Sequence, residues 1–195
     1  MSARTAAARV AQAWVALRSD DPEAVSAFAI ARARMPSGRR LRGLRRMRLF
    51  ELHGALPPPA KLTDLLHRST QFYNPHKETC AVRTRPEGLA EVGASGWVAL
   101  VVDRDGGRRS AAERWWQHET GEAVEVREAL AWVMDFETVI DEASVEDLTV
   151  LRDRRHGLLC NPHAQRWALS GANVPLPWIP GAPDSGAARG TKGKA

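Results

Sequence analysis

The chain has 195 residues, 44% apolar and 26% charged, a balance that suits one globular domain with a real core and excludes a low-complexity or fibrous chain. No apolar run approaches the ~18 residues of a membrane helix, and the N-terminus lacks the apolar core of a secretory signal. Two cysteines make no disulfide framework, so a soluble cytoplasmic protein with no membrane attachment is expected, and the net charge of +5 brings nucleic acid into question as a partner.

Residues 3–18 are alanine-rich with Val10, Trp14 and Leu17 at helical spacing, which predicts a helix. Asp20-Asp21-Pro22-Glu23 is a second helix start, with an acidic cap and proline in the first turn. That helix is expected to turn Val25, Phe28 and Ile30 inward and to stop near Met35-Pro36-Ser37-Gly38. Residues 1–38 therefore read as an N-terminal helical hairpin. Six arginines follow within ten positions: Arg39, Arg40, Arg42, Arg45, Arg46 and Arg48. Residues 45–53 read as a strand, and Leu56-Pro57-Pro58-Pro59 leads into a helix over 59–69 with Leu62, Leu65 and Leu66 as its apolar face.

Strands are expected at 80–84 and at 97–103, the latter a nearly unbroken apolar run suited to burial on both faces. Ser110-Ala111-Ala112-Glu113 has the form of a capping box and predicts a helix to about Glu119, with a hairpin through Asp105-Gly106 as the alternative. One or two strands over 123–137, a helix opened by Ser144 and a last strand near 166–169 complete the order. Beyond Pro175 the prolines forbid a regular ladder, Trp178 and Ile179 are candidates to dock on the body, and 182–195 reads as disordered. The domains expected are thus 1–38, a main domain over 39–174, and a proline-rich then disordered tail over 175–195. The first six elements of the main domain match an α+β, ferredoxin-like two-layer sandwich.

One phrase occurs twice. Arg68, Asn74-Pro75-His76 and Ala81 recur as Arg155, Asn161-Pro162-His163 and Ala168, all at one offset of 87 residues. Carried upstream, the same offset pairs Met47 with Met134 and Leu49 with Phe136. The phrase predicts an internal repeat over 45–84 and 129–171. Its Asn-Pro step falls where a helix hands the chain back to the sheet, a place that needs a turn whatever the function. The phrase also carries His76 with Cys80 and Cys160 with His163, spacings that could chelate zinc if the two copies met. Against this, the cysteines are not equivalent under the repeat, and buried cysteine is a common small hydrophobe. No metal or other cofactor is expected.

Leu158, Leu159, Asn161, Pro162, Gln165 and Trp167, after an amphipathic helix, resemble the end of the small PurS-type subunit of phosphoribosylformylglycinamidine synthase. Phe72, Tyr73, Asn74, Pro75 and Glu78 match the same pattern, with Cys80 where that family has an aromatic residue. The resemblance covers about forty residues in each copy. It implies a ferredoxin-like fold and a non-catalytic assembly role in purine biosynthesis, with the chain pairing with itself or joining a larger protein complex. This chain is longer and more basic than that family.

The candidate binding residues are Asn74, His76, Asn161 and His163 in the repeated phrase, Arg45, Arg46 and Arg48 as a phosphate-binding stretch, and Trp115 as an exposed aromatic for a partner surface. No nucleophile elbow or phosphate loop is present, so no catalytic residue is assigned. A non-catalytic interaction protein leads. A basic nucleic-acid-binding module and a metal-dependent enzyme at the two Asn-Pro-His turns are the alternatives.

Overall fold

The computed structural model describes residues 8–86, 92 and 96–180. The fold is α+β. One antiparallel sheet contains β1 (Ala8–Leu17), β2 (Leu41–Leu56), β3 (Glu78–Arg83), β4 (Gly96–Asp103), β5 (Val124–Phe136) and β6 (Gln165–Ser170). Its order is β3-β1-β2-β5-β4-β6, larger than the sheet of a simple ferredoxin fold. The helices are α1 (Pro22–Arg34), α2 (Pro59–His67), α3 (Ser110–Thr120) and α4 (Glu142–Thr149).

Where a helix over 3–18 is expected, the described part, Ala8–Leu17, is a strand. Ala11, Ala13 and Val15 face one side, and Trp14 the other, a period of two that the alanines disguise. β1 lies between β2 and β3, so the pairing of two neighbours overrides helix propensity. Among the described residues, the expected N-terminal helical hairpin is therefore a strand followed by one helix. Helix α1 does form, capped by Asp21, whose carboxylate accepts from the amides of Glu23 and Ala24. It buries Ala24, Ala27 and Ala31 while Val25 and Ile30 stay exposed, because small side chains let its backbone approach the sheet. Helix α3 starts without the expected capping box. Glu113 instead bonds Arg108 and the Val126 amide.

All four helices lie on one face. Alternation along each strand divides the core: Phe50, Leu52, Val126, Leu62, Leu66, Phe72 and Trp116 form a cluster under α2 and α3. Leu41, Trp132, Met134, Ala27, Ala31, Val145 and Leu148 form a second under α1 and α4. The opposite face carries Trp14, Met47, Leu49, Val98, Leu100, Ala131 and Val133, covered by Val174, Trp178 and Ile179 of a strap that follows β6. Trp178 and Ile179 dock as expected. Residues 182–195 lie outside the described residues.

The two halves of the chain run through the same series, strand, helix, strand, helix, strand, and the sheet order is palindromic about the β2/β5 pair. In the first half Val15 lies between Arg48 and Cys80; in the second Val101 lies between Leu130 and Trp167. Arg48 and Leu130 are themselves direct partners, so the approximate two-fold passes between them. Each helical cluster draws one helix from each half. In this register Cys80 of β3 corresponds to Trp167 of β6, while the register that matches Arg48 with Leu130 matches Met47 with Ala129 rather than with Met134. The connection from β2 to β3 differs in length from that between β5 and β6, which shifts the register.

Candidate functional site

The Asn-Pro-His turns are built alike. Asn74 Oδ1 accepts from the His76 amide at 3.0 Å and Asn161 Oδ1 from the His163 amide at 3.1 Å. The amide of Asn74 donates to the Glu78 carboxylate and that of Asn161 to the Gln165 side-chain oxygen. Arg18 donates to the Pro75 carbonyl, and Arg104 to the Pro162 carbonyl. Both asparagines thus serve the local Asx turn, and both histidines are exposed. The turns lead into β3 and β6, which are opposite edges of a six-stranded sheet, roughly 24 Å apart at the usual strand spacing. His76, Cys80, Cys160 and His163 are therefore not brought together. Cys80 packs on the cluster under α2 and α3, and Cys160 in the one under α1 and α4. Among the described residues, no group of His, Cys, Asp or Glu is arranged to hold a metal ion.

The two helix pairs leave a furrow whose floor crosses the Arg48/Leu130 pair. A cavity of about 370 Å³ is lined by Val101, Asp103, Arg109, Glu128, Leu130 and Gln165. One of about 150 Å³ is lined by Val15, Asp21, Arg46, Arg48, Glu78 and Leu130. The arginine stretch thereby divides by strand alternation. Arg46 points into the furrow and bonds Asp21 at 2.8 Å and also Glu23. Arg48 bonds Glu78 and the Phe72 carbonyl, lies 3.6 Å from Glu128, and sits over the Phe50 ring. Glu128 also takes Arg109 at 2.9 Å. Burial raises the pKa of Asp21, but the Arg46 hydrogen bond and the capped amides outweigh it and hold the carboxyl below its usual range. Arg46 is held up in turn, against its burial, by Asp21 and Glu23. Arg46 and Arg48 are thus already paired with carboxylates.

Trp115 is half-buried, edge-on to Phe72 and Trp116, while Trp116 is fully buried in the core. Burial pushes the Cys80 thiol up to about 12, against the pull of Arg48, and the Cys160 thiol to about 11.

The residues that the sequence reading missed lie on the face opposite the helices. Glu51 is fully buried on β2 and accepts from Gln12 Nε2 at 2.7 Å, the Trp178 amide at 2.5 Å and the Ile179 amide at 3.1 Å. His53 Nε2 stands 3.4 Å from the same carboxylate, and its Nδ1 is buried with no hydrogen-bond partner among the described residues. Gln12 Nε2 also donates to the Pro175 carbonyl, and Gln12 Oε1 accepts from Arg83 and from the Trp14 indole. Arg83 donates to the Val174 carbonyl at 2.7 Å and to Pro86. The one available signal was Glu51-x-His53 in the middle of an apolar strand, since a buried carboxylate demands partners.

No helix among the described residues is long and apolar enough to cross a membrane. No family model, curated protein or solved structure matches the chain.

Proposed function

We propose that the chain is a non-catalytic interaction protein made of two fused, duplicated units. The observation that supports this best is the palindromic sheet, in which each helical cluster combines a helix from either half, as two protomers of a dimer would. The chemistry supports the same reading. Both thiols are held protonated, and Asp21, Glu113, Asp141 and Asp153 are held ionised, whereas a working acid or nucleophile is tuned toward neutral pH. The two-layer arrangement, helices on one face of an antiparallel sheet, is the feature it shares with a ferredoxin-like sandwich.

A PurS-like role in purine biosynthesis rests on the Asn-Pro pattern of the two turns, and a cytoplasmic location accompanies it. In that role the outer edges, β3 and β6, extend the sheet into a second copy or a larger complex. Sedimentation of the purified chain over a hundredfold concentration range tests self-association. Mixing it with the large synthase subunit and the glutaminase of formylglycinamidine ribonucleotide synthesis tests the pathway. A strict monomer that enters no complex with either would overturn the reading.

A further inference from the structure

The two-fold match between the halves exposes one place where they differ sharply. Across β3, β1 and β2 the first half aligns Arg83, Gln12 and Glu51. Across β6, β4 and β5 the second half aligns Ser170, Val98 and Val133 at the matching positions. The second half completes the same sheet with a pair of valines and a serine. Burying a guanidinium, an amide and a carboxylate carries a desolvation cost that the architecture itself does not require.

What the polar triple holds is the strap, and it holds it by main-chain groups. Arg83 takes the Val174 carbonyl and Gln12 the Pro175 carbonyl, while Glu51 takes the amides of Trp178 and Ile179. Pro175 and Pro177 have no amide to give, so the segment cannot join the sheet as a ladder strand and is read by side chains instead. Val174, Trp178 and Ile179 fill the apolar face beside Leu49, Leu100 and Val133. Fixed polar groups for the backbone with apolar seats between them are the elements of a peptide-binding groove. His53 Nδ1, buried beside Glu51, is one more polar atom that the strap leaves unused. The strap follows the edge strand β6 through Gly171, Ala172 and Asn173, so it can lift without unthreading the sheet.

We propose that this face is a docking site for an extended, proline-punctuated apolar segment, filled in the resting chain by its own residues 174–179, and that in trans it takes the same segment of a second copy. The second copy is the occupant because main-chain spacing and apolar seats are both fitted to this strap. The full-length Ile179→Asp chain keeps Glu51 but has a strap unable to fill its seat. A labelled synthetic peptide of residues 172–180 should bind it with saturation, at least tenfold tighter than it binds the unmodified chain, and a second substitution, Glu51→Val, should abolish that binding. No binding by the folded Ile179→Asp chain, or binding indifferent to Glu51→Val, overturns the site. Mixing the Ile179→Asp chain with the Glu51→Val chain should yield a heterodimer, free site with free strap; peptide binding without heterodimer overturns the second copy as occupant. Hydrogen exchange on the unmodified chain guards against an Ile179→Asp chain that fails to fold. The Trp178 and Ile179 amides should exchange at least a hundredfold faster than those of Leu49 and Val133, and equal rates overturn a strap that lifts.

Discussion

Replacing Glu51 with glutamine changes one atom and tests whether a buried carboxylate holds the strap. Oε1 accepts from Gln12 and from the Trp178 amide, and Oε2 from the Ile179 amide, with His53 Nε2 also near. A glutamine can keep its oxygen toward Gln12 and Trp178, but its NH2 then faces the Ile179 N–H, donor against donor. One buried amide loses its acceptor, which costs about 1–3 kcal/mol, and two remaining bonds lose charge assistance. The total is bounded, because the strap can lift and rehydrate those amides once holding it costs more than its apolar burial returns. For a chain of this size each kcal/mol corresponds to about 2–4 °C, so a total of about 2–3 kcal/mol should lower Tm by roughly 4–12 °C. Calorimetry together with amide exchange at Trp178 and Ile179 measures both effects. A Glu51→Gln chain with unchanged Tm and unchanged Ile179 protection would show that the carboxylate does not hold the strap.

Other perturbations follow from the furrow and the turns. Arg48→Leu, which places at the two-fold the residue its partner position already holds, removes the guanidinium that Glu78 and Glu128 share and leaves Glu128 with Arg109 and Glu78 with the Asn74 amide; a loss of about 1–2 kcal/mol in urea unfolding is expected, and a neutral result would mean that the network is worth no more than a surface pair. Asp21 has a folded pKa below its unfolded value near 3.8, so its contribution is present in full above that value and is lost as pH falls through the folded pKa. The stability gap between the unmodified chain and Asp21→Asn should accordingly be constant at pH 6–8 and close under acid, and a gap that widens under acid contradicts the assignment. Asn74→Ala and Asn161→Ala should each cost about 1 kcal/mol through their Asx turns, with His76→Ala and His163→Ala within about 0.5 kcal/mol of the unmodified chain; equal losses at asparagine and histidine would point to a role for the rings. Both thiols should resist alkylation at pH 8 in the folded chain and react on unfolding, and rapid labelling of either would contradict burial of the thiol.

The sequence by itself determined the features whose physics is local. Asn-Pro sets a turn through a side chain that bonds its own backbone and a ring that forbids helix before it, so both turns were legible, as were α2 from its leucine spacing and β4 from its apolar run. Asp21-Pro22 announced α1 in the same way, although not which face it buries. Only the tertiary structure decided the rest. β1 was hidden because alanine favours helix and its strand alternation counts only once β2 and β3 flank it. The division of Arg46 and Arg48 into separate ion pairs depends on Asp21, Glu23, Glu78 and Glu128, contributed by three other segments. The Arg83, Gln12 and Glu51 triple joins three strands and a strap far apart in the chain, and no local pattern encodes it. Burial makes those polar groups costly, and only long-range packing supplies the partners that let them stay.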